Sequence, residues 1–389
     1  MSQLLNERRN PPRTMSHLQD RRRVPRFEWN AFLQRMHLDA YLIMGILALL
    51  CFSAVVLYSS GGEDLALLFR QGVRMTIAIT VMIILAQVHP DRLKDVAFWI
   101  YGVGVLMLIA VLLFGTIGKG AQRWLDLGFF RFQPSEIMKL AVPLVVAVYL
   151  AERPLPPTMT RLFVALLLIA IPVLLIGKQP DLGTALLIGS SGLIVVFLSG
   201  VSWRLLTGFL VLCASAAPVL WYFMHDYQRR RVMTLFNPES DPLGAGYHII
   251  QSKIAIGSGG LHGRGWLQGT QSHLEFLPER STDFIFAVIA EEFGLIGLII
   301  LICVYLLITA RGLYIASQAQ MSYMKLLAGS IAITFLVYVF VNVGMVTGLL
   351  PVVGVPLPLI SYGGTSMVTL LAGFGILMSI HTHRRMMSP

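Results

Sequence analysis

The chain has little charge for its length. Of its 389 residues only 13% are Asp, Glu, Lys or Arg, whereas 56% are hydrophobic and the mean hydropathy is +0.73. Soluble proteins carry about a quarter charged residues, so this composition excludes an ordinary soluble domain. The apolar runs are continuous rather than alternating, and a hydrocarbon core roughly 30 Å thick needs about 20 apolar residues per helix. The sequence therefore predicts an all-α polytopic membrane protein.

Cysteines and the motifs of soluble enzymes are also scarce. Cys51, Cys213 and Cys303 lie inside apolar runs, which favours packing over a disulfide framework. No Walker lysine follows a glycine loop, and no H-E-x-x-H motif is present. The glycine-rich run 257–263 has His262 where a dinucleotide fingerprint needs its third glycine, and the loop histidines lack ligand-like spacing. These patterns argue against nucleotide-binding and zinc-dependent soluble enzymes.

The positive charge is concentrated at the start of the chain. The formal net charge is +10, and eight arginines precede the first apolar run: Arg8, Arg9, Arg13, Arg21, Arg22, Arg23, Arg26 and Arg35. Such a segment is typical of a cytoplasmic tail lying on an anionic membrane leaflet, and a disordered RNA-binding tail is the alternative. We interpret residues 1–39 as the cytoplasmic tail and expect no nucleic-acid partner.

Ten apolar runs are long enough to span a membrane. They are predicted at 40–59, 67–88, 97–117, 135–151, 160–177, 183–200, 204–224, 283–309, 325–348 and 359–380, so residues 40–380 form one transmembrane domain and 381–389 a second tail. Basic residues favour the short loops on the side of both ends, which indicates cytoplasmic termini. The long segment 225–282 is then a large extracytoplasmic loop. It is rich in aromatic and aliphatic residues, so we expect it to be ordered.

Asp283 is the first candidate for chemistry because it stands where this loop meets an apolar helix. A first-turn acid that compensates the helix dipole is the simple alternative. Burial at the membrane surface raises the pKa of a carboxyl group, and helix-terminal amides lower it. A carboxylate under both influences suits a general base near neutral pH.

A second group of candidates is predicted around the start of the fourth helix. Glu136 and Lys139 share one helix face, and Arg123 with Trp124 places a cation and a ring at the same outer surface. A structural anchor with a snorkelling Lys139 is the alternative. Glu291 and Glu292 lie two turns into the eighth apolar run, where intramembrane acids suggest a proton relay, a cation partner or an interhelical contact.

Cations, a carboxylate and apolar helices together suit a ligand with an anionic head and a lipid tail, such as a lipid-linked pyrophosphate. In glycosyl transfer a pyrophosphate leaves readily when Lys, Arg or a divalent cation stabilises its charge. One carboxylate base for the attacking sugar hydroxyl is then sufficient, unlike the paired carboxylates of glycosidases.

The same segments resemble the SEDS family (shape, elongation, division and sporulation proteins), and within it the members that maintain rod shape. The matching stretches are 119–126 (KGAQRWLD), 131–136 (RFQPSE), 179–184 (QPDLGT), 237–248 (NPESDPLGAGYH), 251–260 (QSKIAIGSGG), 275–287 (EFLPERSTDFIFA) and 356–364 (PLPLISYGG).

The resemblance implies an enzyme of the bacterial inner membrane that polymerises lipid II into glycan strands on undecaprenyl pyrophosphate during wall elongation, with its site facing the periplasm. It implies a class B penicillin-binding protein as partner, together with other membrane proteins of the elongation complex. Asp283 matches the family's essential aspartate, as general base or metal ligand. Glu136 and Lys139 match polar residues of the central cavity, and we assign them to catalysis with Asp283.

The resemblance also assigns substrate-binding roles. Lys139 and Arg123 are expected to bind pyrophosphate, and Trp124 and Gln133 belong to the neighbouring motif. Lys119, Gln179 and Asp181, which lie in matching segments, are expected to bind substrate. A divalent cation, Mg or Mn, has Asp283 and Glu136 as candidate ligands.

Two other functions remain as alternatives. A lipid II flippase needs polar residues at mid-membrane depth, whereas the ionisable cluster here is predicted near the outer surface. A non-catalytic scaffold for a transpeptidase would tolerate replacement of Asp283 by Asn. The position of the cluster favours the enzyme.

Overall fold

The computed structural model describes residues 36–118, 121–126, 131–205, 226–240, 244–270 and 279–383, together with positions 207, 208, 211, 215, 218, 221, 222 and 224. Eleven α-helices with complete bounds lie in these ranges: α1 Ala40–Ser60, α2 Leu65–Gln87, α3 Pro90–Phe114, α4 Pro134–Ala151, α5 Met159–Lys178, α6 Leu182–Leu198, α7 Asp226–Phe236, α8 Ala245–Gly259, α9 Ile285–Gln318, α10 Ser322–Val346 and α11 Thr365–Thr382. Three short strands, β1 Thr116–Gly118, β2 Ala121–Asp126 and β3 Arg131–Phe132, form an antiparallel sheet between α3 and α4.

The prediction of an all-α membrane protein is confirmed. Within the described ranges, eight helices are long and apolar enough to cross a membrane, and α6 is a shorter apolar helix. These nine helices correspond to nine of the ten predicted spans. The remaining span, 204–224, lies largely outside the described residues, although several described positions within it are helical.

Both ends of the described chain lie at one end of the bundle. The ring of His37 stacks on that of His383 with centroids 4.0 Å apart. Asp39, which begins α1, accepts hydrogen bonds from Arg311 near the end of α9, and His381 of α11 lies 3.4 Å from the same carboxylate. Residues 37 and 383 are therefore close together, and the cytoplasmic placement of both termini stays a prediction.

Helix α9 corresponds to the span predicted over 283–309, and it contains a break. It is interrupted at Gly294, whose φ of 64° and ψ of −165° are not helical. The loop after α8 satisfies the backbone groups that the break exposes, through four hydrogen bonds: Arg264 N–H to Glu291 O, Gly265 N–H to Glu292 O, Leu295 N–H to Gly260 O and Ile296 N–H to Leu261 O. The sequence pattern predicted the span but not the break, because the pattern around a glycine does not reveal a partner loop.

The two acids beside this break, Glu291 and Glu292, are fully buried. Glu292 accepts a hydrogen bond from Ser59 of α1, and Glu291 accepts one from Thr270 at 3.1 Å. Trp266 of the same loop donates from its indole nitrogen to Val55 O of α1 at 3.2 Å. Of the three roles open for these acids, the geometry favours a polar contact between α9, α1 and the loop.

Candidate active site

The β-sheet and the turn between α5 and α6 form one hydrogen-bonded unit around Asp181. This side chain accepts from Thr184 N–H at 3.3 Å, so it is the N-cap of α6. Gln133 donates to its other oxygen at 3.2 Å, and an Arg123 nitrogen lies 3.7 Å from the carboxylate. Arg123 also donates to Pro180 O at 2.7 Å.

Gln179 is part of the same packed turn. It is buried, and its side-chain amide donates to Leu108 O of α3 at 3.0 Å. The structure therefore brings Arg123, Gln133, Gln179 and Asp181 together, and their contacts hold the sheet against the helix ends. Their role in substrate binding stays a prediction, and Lys119 lies outside the described residues.

Glu136 and Lys139 form a buried ion pair in α4. The Lys139 nitrogen lies 2.8 Å from Glu136 Oε1, with one-tenth or so of each side chain exposed. Thr369 of α11 donates to the other Glu136 oxygen at 2.9 Å, and the ammonium lies 5.5 Å from the ring centroid of Tyr338 on α10. Because both carboxylate oxygens and the cation are surrounded, a snorkelling lysine does not describe this site.

Asp283 is not the cap of the following helix. Helix α9 begins at Ile285 with Phe284 at its N-cap position, and no side chain of the described ranges caps it. The Asp283 residue is half-buried, and its backbone carbonyl accepts from the Asn342 amide of α10 at 2.8 Å. A Cβ built on Gly354 would lie 3.4 Å from Asp283 Oδ2, so the loop before α11 faces the carboxylate. Asp283 therefore does not cap α9, and its role as general base or as an acid that compensates the helix dipole stays a prediction.

Helix α10 connects the two halves of the site. Tyr338, beside Lys139, and Asn342, beside Asp283, are four residues apart, which places them on one helix face about 6 Å apart along the axis. One face of α10 therefore contacts both Lys139 and the Asp283 backbone.

A groove of about 870 Å³ begins beside the ion pair and runs down the bundle. Helix α2 packs on α11 and α3 on α4, and the groove lies between these two pairs. Its polar lining is confined to one end, and its deeper lining is apolar. The polar end includes Arg74, Trp124, Glu136, Thr365 and Thr369, and the apolar lining includes Leu85, Leu93, Ile100, Leu144 and Ile376.

Sequence reasoning missed Arg74, Tyr338, Asn342 and Thr369. Arg74 lies at the polar end of the groove, with its guanidinium carbon 4.4 Å from the ring centroid of Tyr362. An arginine inside one predicted span and an asparagine inside another were the signals, because polar side chains in membrane helices are functional candidates by default. The tyrosine and the threonine gave no such signal, since both residue types are common in apolar helices.

The described residues do not form a ready metal site. Across these ranges no three His, Cys, Asp or Glu side chains come together in a way that would hold an ion. Both Glu136 oxygens accept hydrogen bonds, one of them from the Lys139 ammonium. A divalent cation needs several oxygen ligands, so Asp283 and Glu136 as metal ligands stay a prediction.

The fold and the site define a polytopic membrane protein whose polar centre lies above an apolar groove. The profile of the cell cycle protein family that groups FtsW, RodA and SpoVE matches residues 32–386. The chain belongs to this family, which confirms the resemblance seen in the motifs.

Individual relatives agree with this assignment. The chain is 56% identical over 358 residues to the peptidoglycan glycosyltransferase MrdB of Escherichia coli strain K12, covering 92% of this chain and 97% of the relative. It is 33% identical to the peptidoglycan glycosyltransferase RodA of Treponema pallidum, with 89% and 98% covered.

Solved structures extend the likeness to the fold. A chain from a peptidoglycan synthase complex that coordinates polymerisation and crosslinking superposes with a TM-score of 0.79 at 33% identity, covering 90% of this chain and 98% of that one. The rod shape determining protein RodA of Thermus thermophilus superposes with a TM-score of 0.67 at 31% identity, with 88% and 96% covered.

Proposed function

We propose that this chain is a peptidoglycan glycosyltransferase that polymerises lipid II into glycan strands on undecaprenyl pyrophosphate during cell-wall elongation and rod-shape maintenance. The observation that carries the proposal is the 56% identity, over nearly the whole chain, to a relative named for that activity. The geometry supports it, since one face of α10 carries Asn342, which binds the Asp283 backbone, and Tyr338, which lies beside the buried Lys139. The groove suited to a lipid chain begins beside the Glu136–Lys139 pair.

The chemistry follows from the positions of these groups. Asp283 takes the proton of the attacking sugar hydroxyl as the new bond to the anomeric carbon forms. The bond from that carbon to pyrophosphate breaks, and the leaving group departs with the electron pair. Lys139 and Arg123 stabilise its charge, and Glu136 orients Lys139 through their 2.8 Å contact. The polyprenyl chain lies in the apolar part of the groove.

The polymerase is favoured over a flippase by the lining of the groove. Its polar groups, Arg74, Trp124, Glu136, Thr365 and Thr369, lie at one end. A sugar-pyrophosphate head moving across the membrane would meet only apolar side chains in the deeper part, where desolvation of a charged group costs several kcal/mol. The site therefore suits a reaction at one membrane surface.

The experiment compares purified wild type with Asp283→Asn in polymerisation of labelled lipid II, with a class B penicillin-binding protein present. Loss of a positioned base lowers the rate by about 10² to 10⁴, which a glycan-ladder gel resolves. Equal strand formation by both proteins would refute the role of Asp283, and absence of strands from both would favour the flippase or the scaffold.

The location and partners belong to the same proposal. The protein lies in the bacterial inner membrane with both termini cytoplasmic, and its polar centre and the 225–282 segment face the periplasm. A class B penicillin-binding protein contacts that segment and nearby helix ends, alongside other elongation-complex membrane proteins, and shifts the segment toward a competent state. The similar chain in a synthase complex supports such a partner. Equal turnover with and without the transpeptidase would contradict this activation.

A further inference from the structure

Asn342 is a buried amide in the membrane-spanning helix α10, and it is 0% exposed. Its Nδ2 group donates one hydrogen bond to Asp283 O and one to Val355 O, both at 2.8 Å. Because both partners are carbonyl oxygens, which only accept, the orientation of the amide is determined by its neighbours. One side chain thus ties the backbone of the candidate base to the loop before α11.

The two residues before Asp283 are held in the same way by that loop. The Ser361 hydroxyl donates to Thr282 O at 2.6 Å, and it accepts from Leu357 N–H at 2.8 Å. The Tyr362 N–H donates to Ser281 O at 2.8 Å. The carbonyls of residues 281, 282 and 283 therefore each receive a hydrogen bond from outside their own segment, and none of these bonds uses the carboxylate.

The amide of Asn342 has a cost to stability as well as two hydrogen bonds. Its Oδ1 atom is buried and has no hydrogen-bond partner in the part of the chain that the structure describes. A buried acceptor without a partner destabilises a fold. An apolar side chain of similar shape avoids that penalty but leaves the carbonyls of Asp283 and Val355 without these donors. What Asn342 contributes is its pair of donor contacts. One holds the backbone of Asp283, and the other holds Val355 in the loop that faces the Asp283 carboxylate.

The loop segment that includes Gly354 lies against the Asp283 carboxylate. The φ of Gly354 is +74°, and a Cβ at this position would stand 3.4 Å from Asp283 Oδ2. The next residue, Val355, supplies the second carbonyl that Asn342 holds. The same amide therefore sets the separation between the Asp283 backbone and the segment that its carboxylate faces.

We propose that Asn342 is a positioning residue that sets the place of the Asp283 carboxylate through these two carbonyls, with Ser361 supporting it; this inference rests on the proposed glycosyl transfer. Asn342 does not contact the reacting atoms. Its loss shifts the base relative to the attacking hydroxyl while the lipid-binding groove, formed by α2, α3, α4 and α11, stays intact. A displacement of about 1 Å at a reacting centre lowers a rate by about 10²-fold.

The test uses the full chain with its class B penicillin-binding protein and labelled lipid II. Asn342→Leu keeps the approximate shape and removes both donors, and Ser361→Ala removes one hydroxyl. Ser330→Ala is the matched control, because Ser330 also lies on α10, is 0% exposed and donates to Ser191 O at 2.8 Å, twelve residues from Asn342. Initial rates give kcat and KM, and lipid II binding and thermal unfolding are measured in parallel.

We expect Asn342→Leu to lower kcat by about 10²-fold with KM and lipid II binding within about threefold of wild type. Ser361→Ala lowers kcat by a smaller factor in the same pattern, and Ser330→Ala keeps the wild-type kcat. If kcat of Asn342→Leu equals that of wild type, or if lipid II binding falls in proportion to kcat, the positioning role is refuted. If Asn342→Leu fails to fold, Ser361→Ala decides by the same criteria.

Failure of the wild type to polymerise lipid II is a separate outcome. It would refute the proposed function itself and, with it, this inference. Turnover by wild type together with equal turnover by the Asn342 and Ser361 variants would refute the inference alone.

Discussion

Replacement of Gly294 by Ala tests the joint between the loop after α8 and the break in α9. At φ 64° and ψ −165° the backbone is in a region that is essentially restricted to glycine. A Cβ added there would lie 2.3 Å from Gly263 N and 2.7 Å from His262 C, both of which are backbone atoms. No side-chain rotation relieves contacts with backbone, so the loop itself has to move.

The expected loss of stability follows from two contributions. Backbone strain at such a position amounts to about 1–3 kcal/mol. Moving the loop also weakens the four backbone hydrogen bonds that span the joint, each of which contributes about 1 kcal/mol net. We therefore expect Gly294→Ala to lower the free energy of unfolding by about 2–5 kcal/mol.

Thermal unfolding in detergent measures the loss of stability, and hydrogen exchange shows which part of the chain is affected. The amides of Gly265 and Leu295, which bond across the joint, should exchange faster in the variant. Gly257→Ala is the matched control, since Gly257 lies within α8, has no positive φ, and a methyl group added there would meet no atom of the described residues within 4 Å. That change should stabilise the protein by about 0.5–1 kcal/mol. Equal unfolding temperatures for Gly294→Ala and wild type would refute the reasoning.

Three further predictions concern ionisable groups. Lys139→Met leaves the buried Glu136 carboxylate without its cation and should destabilise the protein by about 3–5 kcal/mol. Adding Glu136→Gln should recover most of that stability but no polymerase activity. A double variant as unstable as Lys139→Met would contradict this. Asp181→Ala removes the N-cap of α6 and should lower stability by about 1–2 kcal/mol in thermal unfolding. Burial, followed by the charges of two neighbouring histidines, holds the pKa of His383 below its ordinary value of 6.5 despite a backbone hydrogen bond that raises it. The unfolded chain then binds more protons, so wild type should lose stability relative to His383→Gln as the pH falls from about 6.5 through the lowered folded pKa; parallel pH profiles would contradict this assignment.

The membrane helices were predictable because lipid allows little besides apolar helices. The predicted span 160–177 differs from α5, Met159–Lys178, by one residue at each end, and 40–59 differs from α1 by one residue. Helix α3 begins at Pro90, seven residues before the predicted start at 97, because His89 caps it and its first turns carry charge. Hydropathy locates the apolar centre of a helix and not its polar ends.

The break at Gly294 and the contacts of Asn342 were not predictable. Each depends on a segment distant in sequence: the loop after α8 in one case, and residues 283 and 355 in the other. Residue type identified Asp283, Glu136 and Lys139 as candidates, and spacing predicted the Glu136–Lys139 pair. The backbone contacts that hold Asp283 involve no residue type that sequence reading distinguishes from ordinary packing.

The stacking of His37 on His383 brings the two ends of the described chain within one ring contact of each other. A short linker from His383 to Met36 would therefore join these two ends on one side of the bundle. New ends opened in the exposed turn 153–158, between α4 and α5, would emerge on the same side. A circular permutant of this kind would show whether insertion of α1 first is needed for the fold.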